Sequence, residues 1–161
     1  MIRTEPNFID TFDLKNSKID LSLYKKLNEL LSYNQSLAPG TFRKEGHYAY
    51  IPCIKDPISA PSIVEVNYQL DCLNYLSSNN YKSDVSRIFC NLCKSQPFYD
   101  GNKRSTLCLC NLALLKQNKE MLIIQNDQYD DFDKLLTYFY VGSNEDFVGF
   151  LVDRYFEVNS H

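Results

Sequence analysis

The chain has 161 residues, of which 44% are hydrophobic and 23% are charged, and its formal net charge is −3. This balance predicts one compact globular domain, and the acidic charge argues against nucleic acid or an anionic membrane as the main partner. No apolar run approaches the roughly 20 residues that a membrane-spanning helix needs. The N-terminal segment also has no apolar stretch of the signal-peptide type, so we expect a cytoplasmic protein.

Apolar residues recur at helical spacing in several segments of the chain. The segments are 23–31, 63–76, 85–92, 103–116, 132–139 and 143–155. Asp20 is a candidate N-terminal cap for the first, Ser59 marks the start of the second, and Ser143 opens the last in capping-box spacing. Residues 103–116 are apolar nearly all round, which predicts a central buried helix.

Two segments depart from the helical pattern. Residues 41–52 are rich in β-branched and aromatic side chains around a Glu-Gly pair, which predicts a short β-hairpin between the first two main helices. Residues 121–124, MLII, predict a short extended run. The expected fold is therefore mainly α, a helical bundle with one small β-hairpin.

The six cysteines invite comparison with zinc sites because two pairs have the spacings C-x-x-C and C-x-C. They are Cys53, Cys72, Cys90, Cys93, Cys108 and Cys110. If 103–116 is helical, Cys108 and Cys110 lie about 200° apart around the axis and do not face one ion. We therefore expect no zinc, and we expect the thiols to be small core side chains.

Residues 96–106, QPFYDGNKRST, combine a turn with two cations. The Asp-Gly-Asn at 100–102 favours a turn, after which a helix begins with amides that have no intrahelical partner. Such a helix N-terminus beside cationic side chains favours an anion, and Asp100 is an oxygen ligand for nucleotide-bound Mg²⁺. An ordinary capped loop before a core helix is an equal alternative. The predicted phosphate-binding residues are Gly101, Asn102, Lys103 and Arg104.

The stretch QPFYDGNKRSTL resembles the signature of the Fic/Doc (Fido) family, H-P-F-x-[DE]-G-N-[GK]-R-x-x-[R]. The matching positions are Pro97, Phe98, Asp100, Gly101, Asn102, Lys103 and Arg104. Upstream, PGTFRKEGHYAYIP is similar to the G-x-x-R segment that leads into the family's β-hairpin flap, with Gly40 and Arg43 in place. The likeness covers about 20–157 and implies a Fic-fold helical bundle in a single domain, 1–161.

The resemblance implies transfer of AMP from ATP, with Mg²⁺, to a hydroxyl of a target protein. It implies that Asp100 holds the metal, that Asn102 and the loop amides stabilise the α-phosphate, and that Arg104 grips the outer phosphates. Partners would be the nucleotide and a target or antitoxin-like protein, with no nucleic acid or membrane. Assembly into a homo-oligomer is left as an open alternative. The flap residues expected to bind the target are Arg43, His47, Tyr48 and Tyr50.

Two positions depart from the family pattern. Gln96 stands where the family has the histidine that takes the proton, and an amide has no useful basicity, so it would only hold the loop in shape. Loss of a positioned base costs about 10²–10⁴-fold in rate. Leu107 replaces the last arginine, and with Lys103 this resembles the Doc branch, which transfers a phosphoryl group. We expect weak or absent activity; the alternatives are a pseudoenzyme that binds or regulates a partner, and a Doc-like phosphotransferase.

The chain has two histidines, His47 and His161. A solvent-facing position in the hairpin is the favoured interpretation of His47, and the alternative is a base that replaces the missing histidine. Tyr99 brings a hydroxyl next to Asp100, although aromatic packing is its simpler role.

Overall fold

The computed structural model describes residues 18–52, 54–141 and 151. Within them lie five α-helices, and the only β-pairing is two isolated bridges. In chain order the helices are α1 (Leu21–Ser32), α2 (Ile63–Leu73), α3 (Tyr81–Ser95), α4 (Asn102–Lys116) and α5 (Tyr129–Val141), with a short 3₁₀ turn at Asn126–Gln128. The prediction of a mainly α fold is therefore confirmed.

Local signals set where the first two helices begin. Asp20 caps α1 as predicted, because its carboxylate accepts a hydrogen bond of 2.9 Å from an amide of the first turn. The cap of α2 is Ser62 and not Ser59. Ile58 is still paired with Ala49, so the chain is held in an extended path just before Ser59, and the helix begins later.

The helix α4 lies against both α1 and α3, which confirms its central position. Its buried face consists of Asn102, Ser105, Thr106, Leu109, Cys110, Ala113 and Leu114. Burial is not complete around the axis, since Leu115 is 46% exposed and Leu107 and Leu112 are half-buried at the edge of the core. The central helix therefore has an outer edge despite its apolar sequence.

Three cysteines confirm the expectation of core thiols. Cys90, Cys93 and Cys110 are fully buried within the apolar core. Burial raises the pKa of the Cys90 thiol to about 12. Cys53 lies outside the described residues.

The segment predicted as a β-hairpin makes the expected turn. The amide of His47 donates to the carbonyl of Lys44 at 2.9 Å, and Gly46 has φ +84°. Such a positive φ suits glycine, which has no Cβ.

The predicted ladder across that turn is not confirmed. Phe42 forms its antiparallel bridge with Phe98, and Ala49 forms one with Ile58. Both partners lie outside the turn, so the two sides of the segment are held by other parts of the chain. Residues 41–52 are therefore a loop fastened at two points.

Residues 121–124 follow an extended path, as the sequence predicts. Leu122 and Ile124 are buried while Met121 and Ile123 are 38% and 39% exposed, the alternation of an extended chain. The Asn111 side chain hydrogen-bonds both the amide and the carbonyl of Leu122, at 2.8 and 2.9 Å.

The helix predicted from Ser143 lies outside the described residues, as does His161. Leu151, which is described, is helical and fully buried. None of the described helices combines the length and the apolar character that crossing a bilayer requires.

Candidate functional site

A short loop joins α3 to α4, and both of its ends adopt the left-handed conformation. Gln96 ends α3 with φ 48° and ψ 61°, and Gly101 precedes α4 with φ 70° and ψ 16°. A Cβ on Gly101 would lie 2.9 Å from the Cβ of Ser32 on α1. Position 101 therefore requires glycine for two reasons, which are the positive φ and the close approach of α1.

The Asn102 side chain is a clamp inside this loop. Its Oδ1 accepts from the amide of Phe98 at 2.8 Å, and its Nδ2 donates to the Phe98 carbonyl and to Gln96 Oε1, both at 3.0 Å. The residue is 5% exposed. Both amide hydrogens of Asn102 are thus bonded within the loop. Asn102 therefore holds the shape of the loop, whereas the family resemblance implies that it contacts phosphate.

The Gln96 side chain completes the clamp. Its Nε2 donates to the carbonyl of Cys93 at 2.8 Å, while its Oε1 accepts from Asn102. The amide therefore ties the end of α3 to the start of α4, the loop-holding role expected of a residue without basicity.

The N-terminus of α4 lies between two exposed charged residues. Asp100 is exposed, and its Oδ1 accepts from the amide of Gly101 at 2.7 Å. Arg104 is exposed and donates one hydrogen bond to the side-chain oxygen of Gln35, beyond α1. The amides of residues 102–104 form the first turn, where no intrahelical acceptor exists. Together they offer donors and a positive dipole end to an anion.

Lys103 differs from its predicted role. Its ammonium forms an ion pair with Asp133 of α5. The pair links α4 to α5, so Lys103 serves the packing of these helices, and Arg104 is the cation left at the loop.

Sequence reasoning missed Asn28, which supports the loop from α1. Asn28 is fully buried, and its Nδ2 donates to the carbonyl of Asp100 at 2.8 Å and to the hydroxyl of Ser105 at 3.3 Å. Its Oδ1 accepts from the amide of Gly40 at 3.0 Å. The available signal was its spacing, because Asn28 lies one helical turn after the core residue Tyr24 on the apolar face of α1.

Arg43 was expected to bind a target, but the structure places it inside. It is 6% exposed, and all five N–H groups of its guanidinium donate to backbone carbonyls at 2.6 to 3.1 Å. The acceptors belong to His47, Ile58, Ser59, Ser95 and Gln96. Its own amide donates to the carbonyl of Pro97 at 2.8 Å. Arg43 therefore fastens residues 43–59 to the loop and has no donor left for a partner.

His47 faces the loop as well as solvent. Its Nδ1 lies 2.6 Å from the hydroxyl of Tyr99, and the amide of Lys44 donates to the same hydroxyl at 3.3 Å. The other two residues of the predicted target-binding set are open, with Tyr48 53% and Tyr50 79% exposed. The structure thus places His47 beside Tyr99, the residue before Asp100, and leaves Tyr48 and Tyr50 exposed at the surface.

The loop supplies too few oxygen ligands to bind a magnesium ion unless phosphate oxygens bind the ion as well. Asp100 is one exposed carboxylate, and no group of three or more His, Cys, Asp or Glu side chains in the described residues is arranged to hold a metal ion by itself. Mg²⁺ bound to nucleotides commonly takes one or two carboxylates plus phosphate oxygens and water, so Asp100 suffices.

Comparison with protein-family models finds no match to this chain, and comparison with curated proteins finds none either. The likeness to Fic proteins therefore depends on the loop sequence and on the upstream G-x-x-R segment.

Proposed function

We propose that the loop 99–104 binds the phosphates of a nucleoside triphosphate together with Mg²⁺. In this proposal the protein is a Fic-like transferase whose rate is weak or absent. The observation that carries it is the N-terminus of α4, with Asp100 and Arg104 exposed on either side and the loop shape fixed by Asn28 and Asn102. A preformed set of donors costs little to reorganise when an anion binds.

Each loop residue has a separate task in the proposed reaction. Asp100 would hold Mg²⁺, and the metal would neutralise charge on the phosphates. The amides of 102–104 would donate to phosphate oxygens, and Arg104 would exchange its hydrogen bond to Gln35 for a forked contact with phosphate. Asn102 is a positioning residue, since its amide is engaged with the loop.

The weak activity follows from Gln96 and Leu107. The Gln96 amide takes no proton at neutral pH, and it is already hydrogen-bonded at both ends. Leu107 is half-buried against the core, so α4 has an apolar side chain where the family pattern has its last arginine. Within the described residues, Arg104 is therefore the arginine that would meet charge on the phosphates.

Calorimetric titration with Mg-ATP tests binding. We expect a measurable heat for the native protein at millimolar nucleotide, and about 10- to 100-fold weaker binding for Arg104→Ala, the usual effect of losing a charge-assisted contact. Lys26→Ala removes an exposed cation from α1 and is the matched control, expected to bind as the native protein does. Absence of heat and of a thermal shift for the native protein would exclude nucleotide binding at this loop.

The substitution Gln96→His tests the missing base. Histidine tolerates the left-handed φ of 48° at this position, so the loop should keep its path. We expect labelling from ATP to rise by about 10²–10⁴-fold. The control is Gln96→Asn, which also suits this φ but offers no base. Label from the α-phosphate alone identifies AMP transfer, and label from the γ-phosphate alone identifies the Doc-like phosphotransferase.

A second candidate is a pseudoenzyme that binds a partner, favoured by the exposure of Tyr48 and Tyr50 beside the loop. In this proposal an extended segment of a target or antitoxin-like protein adds along residues 47–50. It predicts that the Gln96→His variant binds Mg-ATP and yet labels nothing.

A further inference from the structure

The phenol of Tyr99 and the imidazole of His47 form a hydrogen-bonded pair at the edge of the candidate phosphate site. Tyr99 immediately precedes Asp100, and its Oη lies 2.6 Å from His47 Nδ1. Tyr99 is 38% exposed and His47 is also exposed, so the pair is accessible from solvent.

The neighbouring amide also hydrogen-bonds the Tyr99 hydroxyl. The N–H of Lys44 donates to Tyr99 Oη at 3.3 Å, so one acceptor position of the hydroxyl is occupied. In the imidazole tautomer that carries its proton on Nε2, His47 Nδ1 accepts the hydrogen bond from the phenol. The same Lys44 amide would stabilise negative charge on Oη as the proton leaves.

The backbone of His47 is hydrogen-bonded at both its amide and its carbonyl. The His47 amide donates to the Lys44 carbonyl at 2.9 Å, and the His47 carbonyl accepts from the buried Arg43 guanidinium at 2.7 Å. The fixed backbone keeps the Cα of His47 close to Tyr99, and the two ring centroids lie 5.8 Å apart. The pair is thus a built arrangement of a nucleophile and a base.

We propose that Tyr99 is the hydroxyl that receives the transferred group and that His47 takes its proton. This inference rests on the nucleotide binding proposed above and names the substrate of that site as the chain's own tyrosine. It also accounts for chemistry without a base at Gln96, because the base comes from the loop fastened by Arg43.

The step is a substitution at phosphorus. Tyr99 Oη forms a bond to a phosphorus atom of the nucleoside triphosphate, and the phenol proton passes to His47 Nδ1. The bond from that phosphorus to its bridging oxygen breaks, and the electron pair leaves with pyrophosphate if the α-phosphorus is attacked, or with the nucleoside diphosphate if the γ-phosphorus is attacked.

Two tyrosines close to His47 in the chain are reference sites for the label. Tyr48 and Tyr50 are more exposed than Tyr99, at 53% and 79% against 38%. Neither has a hydrogen-bonded histidine in the described part of the chain. Exposure alone would therefore favour labelling of Tyr48 and Tyr50, whereas activation by His47 favours Tyr99.

The first experiment incubates the native protein with Mg-ATP labelled at the α- or γ-phosphate and maps the label by peptide mass spectrometry. We expect it on Tyr99, absent in Tyr99→Phe, reduced about 10²-fold or more in His47→Gln, and unchanged in Tyr75→Phe, which alters an exposed tyrosine away from both loops. Label on Tyr48 or Tyr50 alone, or a His47→Gln variant that labels as fast as the native protein, overturns the inference. So does absence of label on a protein that binds Mg-ATP.

The second experiment probes the pair without nucleotide. An aryl sulfonyl fluoride modifies tyrosine hydroxyls with loss of fluoride, and we expect Tyr99 to react faster than Tyr50, with the advantage lost in His47→Gln. If Mg-ATP binds and Tyr99 reacts no faster than Tyr50, this inference fails while the proposed function stands. If calorimetry shows no binding of Mg-ATP, both fail, whatever the sulfonyl fluoride does.

Discussion

A single arginine holds a loop that contains almost no regular pairing. Backbone carbonyls that are buried without a partner are costly, and a loop beside the core needs partners from outside secondary structure. Arg43 supplies five donors in a planar fork, and the carbonyls that they meet belong to two chain segments, 47–59 and 95–96. At the residue scale, then, the flap-like loop and the candidate phosphate loop are one unit joined at Arg43.

Arg43→Lys should therefore destabilise the protein although it keeps the charge. An ammonium has three donors on a flexible stem and does not reproduce the fork, so several buried carbonyls lose their partners. We expect a loss of about 2–4 kcal/mol in the free energy of unfolding. Urea denaturation measures it, with Lys44→Ala at the exposed neighbouring position as control. A loss below about 1 kcal/mol would show that the carbonyls find water instead.

The helices and the loops differ in how far the sequence predicts them. The helices follow from apolar spacing and local caps such as Asp20, which depend on residues a few positions apart. The predicted hairpin ladder was not found because Phe42 and Ala49 pair with Phe98 and Ile58. Those pairings depend on tertiary contacts, which periodicity does not encode.

The same limit applies to the candidate site. The turn at 100–102, including the positive φ of Gly101, was predictable because turn chemistry is local. The tasks of Asn28 and Arg43 were not, since each depends on partners brought from distant segments. A polar side chain on an apolar helix face was the one local hint for Asn28.

At the scale of elements, Gly101 sets how closely α4 approaches α1. Its φ of 70° disfavours any other residue, and an added Cβ would lie 2.9 Å from Ser32 Cβ and 3.3 Å from Asn28 Nδ2. Gly46 has a similar φ of 84°, but a Cβ there would meet nothing within 4 Å. Comparing substitutions at the two glycines therefore separates the cost of backbone strain from the cost of close packing.

Gly101→Ala should cost more stability than Gly46→Ala. Backbone strain alone predicts a loss of about 1 kcal/mol at Gly46. At Gly101 the contact with Ser32 adds overpacking, for a total of about 2–4 kcal/mol, and α4 should shift enough to weaken binding of Mg-ATP. Chemical denaturation of both variants measures the difference. Equal losses would show that α1 yields to the extra methyl group at little cost.

At the scale of the whole molecule, the core where α1, α3 and α4 meet holds buried thiols and a buried phenol in their protonated forms. Burial raises the pKa of the Cys90, Cys93 and Cys110 thiols and of the Tyr24 phenol. Tyr24 also shares a hydrogen bond of 2.6 Å with Thr106. The native state therefore retains these protons at alkaline pH, where an unfolded chain loses them.

Stability should accordingly fall as the pH rises above about 9, the usual pKa of an unfolded thiol. The native state then binds more protons than the unfolded state, so the free energy of unfolding decreases by about 1.4 kcal/mol per pH unit for each such thiol. Urea midpoints measured with a reductant from pH 8 to about 10.5 test this. Cys90→Ala should remove one thiol's share of the slope, whereas Leu92→Ala, a buried non-titrating neighbour on α3, should lower stability and keep the slope. If Cys90→Ala leaves the slope unchanged, the Cys90 proton is not held by burial.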